Sequence, residues 1–509
     1  MIDLSAGDAL SAAGATWSTG TTPCAPLVDV STDTRTLRPG SLFVGVPGPR
    51  FDGAAFAEAA VDAGAVFVLA ADGPGVRDRL AALAESRDVL VATVDDAVHA
   101  LAELARTARE RLSARVVAIT GSNGKTSTKE ILGHLMAASR RTVLSPASYN
   151  NHIGVPRTLF LADEATEALV SEVGTNAPGE IAALASIVCP DVAVVTNCGR
   201  AHLERLGSVE GVALEKGALV EAVDPGVATR PAAVLNRDCP RTPLMLERVR
   251  EGVRLITVSA SGDPSASVFA RDAAPLCGGC GFVLDGPAVP EEHRGAVVEV
   301  PLLGDHAVAN VLAALAAVIA ADADLGAALS AVPGLAPAPH RLEPHRAGGV
   351  LVVDDAYNAN PDSMRAAIEV LAQQRVGTDP VGRRGRRILA VGEMGELGEL
   401  SAELHRSAGE TARALGIDVV VGVGESAAVD ALLAGARVRG SGIPRIETAH
   451  ARTVDDAAAM LLEGSLRAEA GDVVLVKASR AAGLDRLAER LVRGLRDSRE
   501  LVQSGEGAT

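Results

Sequence analysis

Apolar runs of strand length alternate with helical patterns along most of the chain. A short run at residues 42–46 precedes a helical pattern at 54–63, and further runs follow at 168–173, 192–196 and 232–235. Nearly continuous apolar strands separated by helices are typical of parallel sheets that are covered on both faces. The pattern therefore predicts an α/β fold.

A proline-rich segment divides the chain after this long central unit. Residues 333–339 read PGLAPAP, a composition typical of a linker. A third α/β pattern follows it, with strands predicted at 350–353, 388–391, 419–423 and 473–476. From these breaks and the length of the chain we expect three domains, at residues 1–94, 95–337 and 338–509.

The apolar run that begins at residue 116 ends in a loop bracketed by glycines, within the sequence VVAITGSNGKTS. Gly121 and Gly124 let backbone N–H groups approach phosphate oxygens, while Lys125 supplies a positive charge and Thr126 a hydroxyl for Mg2+. A helical pattern follows, so the loop lies at a helix N-terminus, which favours an anion. The common pattern G-x-x-x-x-G-K-[ST] has a glycine where this chain has Ile119, so this is a variant. We predict a nucleotide-binding site, because a plain glycine turn does not need the lysine and threonine.

Polar residues follow the predicted strands at the points where the strands end. In the central unit these residues are Glu172, Asn197, His202 and Asn236, and in the third unit they form clusters at 354–361, 392–398 and 477–480. Ligands bind at the carboxyl edge of open α/β sheets. Helix caps and turns account for one or two of the clusters in the third unit, so we expect ligand contacts there as well.

Composition and charge narrow the possible partners. The formal net charge of -16 and the 2% aromatic content argue against a nucleic-acid partner. The N-terminus lacks the pattern of a secretory signal, and the longest apolar stretch, 311–321, is too short to span a bilayer. We expect a cytoplasmic protein without membrane insertion. The basic run at 383–387 is interpreted as a solvated loop.

Six cysteines in a chain of this length fit a reducing compartment. Cys277 and Cys280 form a C-x-x-C motif without a second pair at the spacing of a zinc site. A β-turn that carries two cysteines is favoured over a metal or redox site, and both readings stay open.

Several motifs together resemble the Mur ligases. They are DTR at 33–35, GSLFV at 40–44, TGSNGKTS at 120–127, YNNHIGVP at 149–156, EVGTNAPGE at 172–180, AHLE at 201–204, DAYNANP at 355–361 and GEMGELG at 392–398. The last two resemble the members that add D-alanyl-D-alanine to UDP-N-acetylmuramoyl-tripeptide. The resemblance covers nearly the whole chain. Two positions depart from it, because the family often has histidine in place of Ala54 and usually has glycine in place of His340.

The resemblance implies an ATP-dependent amide ligase that joins these two substrates through an acyl phosphate, in cytoplasmic peptidoglycan precursor synthesis. It implies a small N-terminal α/β domain for the UDP-sugar-peptide and a central P-loop ATPase-like domain with a mostly parallel sheet. A C-terminal Rossmann-like α/β domain would bind the dipeptide and close over ATP. The implied cofactors are ATP and Mg2+, and we expect a monomer.

The resemblance also implies roles for individual residues. The catalytic set is Lys125, Glu172, His202 and Lys216. The ATP contacts are Gly121, Ser122, Asn123, Gly124, Lys125, Thr126, Ser127, Asn310, Arg341, Asp355, Tyr357, Asn358 and Asn360. The metal ligands are Thr126, Glu172, His202 and Lys216, the last as a carbamate, because an ammonium cannot ligate a metal. The UDP-substrate contacts are Thr34, Arg35, Asn150, Asn151 and Thr175, and the dipeptide contacts are Glu393, Met394, Lys477, Ser479 and Arg480.

Other readings remain. Without the resemblance, His202 is a structural histidine by default, and Lys216 is a surface lysine paired with a phosphate or with Glu215. A related ligase could add an amino acid to a UDP-peptide or glutamate to a folate. A nucleotide-dependent switch or binding module is a more distant alternative. Guanine-nucleotide switches carry an Asn-Lys-x-Asp segment, and the nearest segment here, at 236–238, lacks it.

Overall fold

Three β-sheets organise the chain. The structure, a computed structural model, describes residues 1–48, 52–379, 382–437 and 446–505. The sheets have five, nine and six strands, and the strands of each fall within one of the three ranges expected from the sequence. The α/β fold class is confirmed. The exact domain boundaries remain a prediction. Residues 506–509, at the end of the expected third domain, lie outside the residues that the structure describes.

The N-terminal sheet has the strand order β1-β5-β4-β3-β2. Its strands are β1 (Trp17–Gly20), β2 (Val30–Ser31), β3 (Leu42–Gly45), β4 (Phe67–Ala71) and β5 (Leu90–Val94), and its helices are α1 (Ala6–Ala12), α2 (Ala57–Asp62) and α3 (Val76–Ser86). The β1–β5 pair is antiparallel and the other pairs are parallel. The helical pattern at 54–63 begins as a 3-10 turn, Gly53–Phe56, and continues as α2.

Helix α4 (Ala97–Arg111) leads from this domain to the central one. Asp96 caps its N-terminus by accepting hydrogen bonds from the N–H groups of Val98 and His99. Leu101 and Leu104 are fully buried in a core that contains residues of both domains. The helix therefore fixes the N-terminal domain against the central sheet.

The central sheet has the order β14-β13-β12-β11-β10-β9-β6-β8-β7. Its strands are β6 (Arg115–Thr120), β7 (Thr142–Leu144), β8 (Ala168–Glu172), β9 (Val192–Val195), β10 (Ala232–Asn236), β11 (Arg254–Ser259), β12 (Val268–Leu276), β13 (Gly279–Asp285) and β14 (Ala296–Val300). Strands β6 to β12 pair in parallel, whereas β12, β13 and β14 form an antiparallel meander. The first turn of this meander carries the C-x-x-C motif, with Cys277 exposed and Cys280 buried.

Helices cover both faces of the central sheet. They are α5 (Lys125–Ala137), α6 (Gly154–Phe160), α7 (Glu180–Val188), α8 (Leu203–Leu206), α9 (Val209–Glu221), α10 (Thr242–Leu246), α11 (His306–Ala320) and α12 (Leu325–Ala331). The long apolar stretch at 311–321 belongs to α11, whose buried residues pack against α5 and the sheet. Within the described residues, no helix combines the length and the apolar character needed to cross a membrane.

The C-terminal sheet has the order β15-β16-β20-β17-β18-β19. Its strands are β15 (Glu343–Ala347), β16 (Val350–Asp355), β17 (Arg387–Val391), β18 (Val419–Val423), β19 (Glu447–Ala451) and β20 (Val473–Lys477), and its helices are α13 (Pro361–Gln373), α14 (Ser401–Ala414), α15 (Ala427–Arg437), α16 (Val454–Leu462) and α17 (Asp485–Gly505). The β15–β16 pair is antiparallel and the rest are parallel. This sheet is of the Rossmann-like kind that was expected.

The basic run at 383–387 is not a solvated loop, and that interpretation is wrong. The side chains of Arg383 and Arg386 both bond to Asp472, at 3.1 and 2.8 Å. Asp472 is buried, and a buried carboxylate needs such partners to compensate its lost hydration. The run therefore fastens the start of β17 to the loop before β20.

Candidate active site

A cleft of about 1060 Å³ lies between the central and C-terminal domains. The loop at 121–124 enters it directly after β6, and the ends of β8 and β9 form its floor. Residues from the ends of β16 and β20 form the opposite wall. The carboxyl edges of two parallel sheets thus face each other, which is where the sequence predicted ligand contacts.

Two glycines shape the loop that precedes α5. Gly124 has a φ of 79°, and a Cβ atom there would lie 2.4 Å from the side-chain oxygen of Asn310 on α11. At Gly121 a Cβ atom would lie 1.8 Å from the hydroxyl oxygen of Thr196. The loop therefore needs glycine for close approach at both positions and for the left-handed backbone at Gly124.

The ammonium of Lys125 is turned back onto this loop. Nζ donates a hydrogen bond to the carbonyl oxygen of Gly121 at 2.8 Å, with that of Ser122 at 3.5 Å. Burial lowers the pKa of Lys125, and the carboxylate of Glu172 opposes that shift. A half-buried cation at a helix N-terminus is placed to meet an anion in the loop.

Thr126 and Glu172 form a polar pair beside the loop. The hydroxyl of Thr126 donates to one carboxylate oxygen of Glu172 at 2.8 Å, and Asn150 donates to the other, also at 2.8 Å. Arg341 donates to the hydroxyl oxygen of Thr126 at 3.0 Å. A hydroxyl beside a buried carboxylate is a set of hard oxygen donors, which suits Mg2+.

The segment after β9 supports the loop from below. Asn197 accepts from the N–H of Asn123 at 2.9 Å, and Thr196 donates to the carbonyl of Asn123 at 2.6 Å. The sequence analysis placed Asn197 at the ligand-binding edge of the sheet but gave it no specific role. Thr196 was not among the candidate residues.

Hydrogen bonds across the cleft join the two domains. The side chain of Asn360 donates to Asn123 at 2.8 Å, and the N–H of Arg200 donates to Asp362 at the same distance. His202 contacts Glu396, on the loop that follows β17. Asp362 and Glu396 were missed as site residues, because each gains its role from a partner in another domain.

The C-terminal wall carries a cationic and aromatic cluster. The guanidinium of Arg341 lies 4.2 Å from the ring centre of Tyr357, and that of Arg480 lies 5.7 Å from it. The ammonium of Lys477 donates to Asp355 at 2.7 Å and to the carbonyl of Asn358 at 3.0 Å. All six residues were predicted from the sequence, and the structure brings them together on one wall of the cleft.

His340 departs from the family pattern, and its backbone explains why glycine is usual there. Its φ is 58°, in the left-handed region. Its ring nitrogen Nδ1 lies 2.7 Å from Asp354. Burial lowers the pKa of His340, but the hydrogen bond to Asp354 and the nearby carboxylate charges together outweigh that effect and raise the pKa. The ion pair holds the residue directly before Arg341.

Lys216 is buried on α9 and is not one of the residues that line the cleft. Burial, and then the charge of Lys125, lower its pKa to about 7. The carboxylate of Glu215 accepts from the N–H groups of Gly179 and Ile181 at the start of α7. The structure therefore does not support a surface lysine paired with Glu215.

The structure divides the remaining predicted residues into two groups. On the cleft wall lie Ser122, Asn123, Gly124, Ser127, Asn151, Thr175, Asn310, Asn360 and Ser479. The residues that do not line the cleft are Gly121, Thr34, Arg35, Glu393 and Met394. Arg35 forms an ion pair with Asp33, and Glu393 lines a separate cavity. Met394 is buried, and its N–H donates a hydrogen bond to His405.

Known protein families and relatives match this chain over most of its length. Family models match three consecutive parts of the chain: the Mur ligase family catalytic domain at 28–109, the Mur ligase middle domain at 119–318 and the Mur ligase glutamate ligase domain at 340–480. A relative from Mycobacterium tuberculosis, a UDP-N-acetylmuramoyl-tripeptide–D-alanyl-D-alanine ligase, is 37% identical over 488 residues, which cover 91% of this chain and 92% of the relative. The chain belongs to the Mur ligase family.

Other Mur ligases extend the comparison. The enzyme of the same description from Bacillus subtilis is 30% identical and is covered over 93% of its length. A crystal structure of MurF from Acinetobacter baumannii matches with a TM-score of 0.81 and 26% identity, covering 96% of this chain and 99% of that one. MurF from Thermotoga maritima in complex with ADP matches with a TM-score of 0.74 and 27% identity, covering 92% and 98%.

Proposed function

We propose that this Mur ligase joins D-alanyl-D-alanine to UDP-N-acetylmuramoyl-tripeptide with hydrolysis of ATP to ADP and phosphate. The observation that carries the proposal is the 37% identity to a relative of that description over 91% of this chain. The reaction belongs to the assembly of peptidoglycan precursors. The cleft between two sheet edges adds physical support, because it gathers cationic, amide and carboxylate groups where the phosphates and the carboxylate must meet.

ATP would lie with its phosphates on the loop at 121–124. The backbone N–H groups at the start of α5 would face the phosphate oxygens, and Lys125 would exchange its carbonyl partners in the loop for the β- and γ-phosphates. Arg341 and Tyr357 would close over the nucleotide from the C-terminal domain, because they already stack beside Thr126. Asn310, Asp355, Asn358 and Asn360 complete the proposed contacts.

The chemistry needs a better leaving group on the tripeptide carboxylate. Transfer of the γ-phosphoryl group of ATP to a carboxylate oxygen gives an acyl phosphate and ADP. The free amine of the dipeptide then attacks the carbonyl carbon, loses a proton and expels phosphate, which leaves the amide. The protein aligns the reactants and neutralises charge on the transferring phosphoryl group, a role assigned to Lys125.

Mg2+ fits the donor set beside the loop. Thr126 and Glu172 would hold it, because a hydroxyl and a buried carboxylate 2.8 Å apart are hard oxygen donors. His202, and Lys216 as a carbamate, are the proposed ligands of a second ion. When bound, Mg2+ supplies positive charge that offsets the charge of the phosphates.

The UDP-tripeptide and the dipeptide would enter the cleft from opposite sides and meet at its floor, which the ends of β8 and β9 form. Asn150, Asn151 and Thr175 would face the UDP-tripeptide, since they line the cleft beside Glu172. Thr34 and Arg35 lie outside this cleft, so we propose that they contact the UDP portion of the UDP-tripeptide. Lys477, Ser479 and Arg480 would hold the dipeptide, with Glu393 and Met394 shaping its loop.

Phosphate release from the purified enzyme tests the proposal. ATP, Mg2+, UDP-tripeptide and D-alanyl-D-alanine together should give rapid release, and omission of any one should abolish it. Single amino acids and glutamate with a folate acceptor, offered in place of these substrates, test the related ligase activities. Rapid turnover with one of those pairs, and none with D-alanyl-D-alanine, would overturn the assignment.

A further inference from the structure

Two cysteines meet beneath the wall of the cleft, on the loops that follow β9 and β10. Cys198 and Cys239 are 41 positions apart in the chain, yet the N–H of Cys198 donates to the sulfur of Cys239 at 3.4 Å. The thiol of Cys239 in turn donates to the carbonyl oxygen of Cys198 at 3.7 Å. Both residues are 6–7% exposed and both line the cleft. The proposed function uses neither of them.

The surroundings make the two sulfur atoms chemically unequal. The neighbouring side chain of Cys198 lowers the pKa of Cys239 to about 6, although burial opposes the shift. The neighbouring side chain of Cys239, together with burial, raises the pKa of Cys198. Burial also raises the pKa of Cys189 and Cys280. The thiolate is the reactive form of cysteine, so Cys239 is the nucleophile of the pair and Cys198 is its resolving partner.

We propose that Cys198 and Cys239 are a redox-sensitive pair, which a hydroperoxide converts to a disulfide that inactivates the cleft and which a small dithiol restores. The observation behind it is that the sulfur of Cys239 packs against the backbone of Cys198, with both buried cysteines at the edge of the open cleft. Hydrogen peroxide is small enough to follow water into such a cleft.

The reaction balances with hydrogen peroxide as the oxidant. The thiolate of Cys239 attacks one peroxide oxygen, the O–O bond breaks, and the released hydroxide takes up the proton that the thiol lost, giving a sulfenic acid and one water. The sulfur of Cys198 then attacks the sulfur of Cys239. The S–O bond breaks, and the leaving hydroxide takes the proton of the Cys198 thiol as a second water. Two thiols are oxidised by two electrons, and the peroxide is reduced.

The disulfide acts on the cleft because Cys198 belongs to the segment that supports the phosphate loop. Its neighbour Asn197 bonds to the backbone of Asn123, and the N–H of Gly199 donates to the hydroxyl of Ser122 at 2.9 Å. A disulfide has an S–S length of about 2.05 Å, so the Cys198 sulfur, which now contacts Met245 at 3.7 Å, has to be drawn toward Cys239. The segment then moves, and the loop that it supports moves with it.

Peroxide treatment of the full-length protein tests the proposal. After the peroxide is removed, peptide mass mapping should find a Cys198–Cys239 cross-link that lacks two hydrogen atoms relative to the two thiol peptides. Phosphate release should fall by about tenfold or more as ATP binding weakens, and dithiothreitol should restore both the thiols and the activity. ATP binding is measured separately by calorimetry, so that a change in the cleft is detected without turnover.

Variants separate this pair from the other cysteines. In Cys239→Ser and Cys198→Ser, the ratio of treated to untreated activity should stay near one, whereas Cys277→Ser removes an exposed thiol and should remain sensitive. Peroxide that oxidises Cys277 but leaves both buried thiols reduced would overturn the proposal. So would a fully formed cross-link with unchanged ATP binding and turnover, or a sensitive Cys239→Ser protein.

Discussion

The imidazole nitrogen Nδ1 of His202 lies 2.6 Å from a carboxylate oxygen of Glu396, across the boundary between the central and C-terminal domains. Both residues have a left-handed backbone, with φ of 56° and 61°. Such a backbone costs on the order of 1 kcal/mol at a residue other than glycine, so its presence at both partners marks a contact that the surrounding structure enforces. The hydrogen bond to His202 lowers the pKa of Glu396.

Replacement of Glu396 by glutamine should weaken the response to Mg2+. A carboxylate that accepts from one ring nitrogen orients the imidazole and strengthens the other nitrogen as a ligand. Loss of such a partner typically costs about 10- to 100-fold in metal affinity. Titration of activity with Mg2+ at fixed ATP measures the shift. The matched control is Glu399→Gln, an exposed carboxylate nearby in the turn Gly398–Leu400. If the Mg2+ concentration that gives half-maximal activity were unchanged and only the maximal activity fell, Glu396 would contribute to domain closure and not to metal binding.

Replacement of Lys125 by alanine should reduce kcat by about a hundredfold or more, because the ammonium neutralises charge that develops on the transferring phosphoryl group. Lys125 is half-buried and bonded to its own loop, so its removal can also change stability. The variant must therefore be compared with the parent by thermal unfolding as well as by turnover. Near-normal kcat in a folded variant would remove Lys125 from the proposed chemistry.

Gly124→Ala should weaken ATP binding, because the added Cβ atom would displace part of the phosphate loop in addition to straining the backbone. A Cβ atom at Gly124 would lie 2.4 Å from Asn310, and the φ of 79° adds a left-handed cost of about 1 kcal/mol. Gly75 is the matched control, since it also precedes a helix with a left-handed φ of 70° but has nothing within 4 Å of the added carbon. Both variants should lose stability, and only Gly124→Ala should lose affinity for ATP in calorimetry. Equal ATP affinity in both would mean that the loop tolerates a side chain.

The phosphate loop and the sheet edge could be predicted because their signals are local. A strand, two glycines, Lys125 and the following helix lie within a short segment, and residues such as Glu172 and Asp355 are the last residues of their strands. The partners of His202 and Arg200 could not be predicted. Glu396 is 194 positions from His202 and Asp362 is 162 from Arg200, so their contacts depend on how two domains sit against each other.

The antiparallel meander of β12 to β14 was not predicted for a different reason. Strand β12 is exposed along most of its length, so it lacks the nearly continuous apolar run that marks the parallel strands. Its turn at Gly278, with φ of 84°, carries the two cysteines that looked like a C-x-x-C motif. The buried role of Asp472 was missed too, because a carboxylate read from sequence alone is expected to be exposed.

The pKa of Lys216 predicts a dependence on pH. The folded value of about 7 lies below the ordinary 10.5, so the unfolded chain binds more protons between these values. The contribution of this residue to the free energy of unfolding therefore rises as the pH increases from about 7 to 10.5. The neutral amine is also the form that captures carbon dioxide, so carbamate formation should increase as the pH rises through about 7. Carbon-13 NMR with labelled bicarbonate measures it, with Lys216→Ala as the blank.

The same variant tests the carbamate by rescue. Lys216→Ala should lose activity, and formate or acetate in the buffer should restore part of it by supplying the missing carboxylate. Lys125→Ala serves as the comparison, since a small anion cannot replace a cation. An active Lys216→Ala enzyme, or equal rescue of both variants, would contradict a carbamate at Lys216.

Isotope transfer should follow the acyl-phosphate route. When the accepting carboxylate of the UDP-tripeptide is labelled with oxygen-18, one labelled oxygen should leave in phosphate, because the phosphoryl group departs with the oxygen that it captured. Mass spectrometry of the released phosphate detects it. Phosphate without label, formed during normal amide synthesis, would rule out this intermediate.

Two of the bonds that join the two domains, Asn360 to Asn123 and Arg200 to Asp362, consist of amide groups, a carboxylate and a backbone N–H group. Water satisfies such groups almost as well as the protein does, so each of these hydrogen bonds contributes only about 1 to 3 kcal/mol net. Separating these two pairs consequently costs little, so we expect bound substrates to decide how long the domains stay together. The wall that would shield a reactive intermediate could then open at every turnover and let ADP leave.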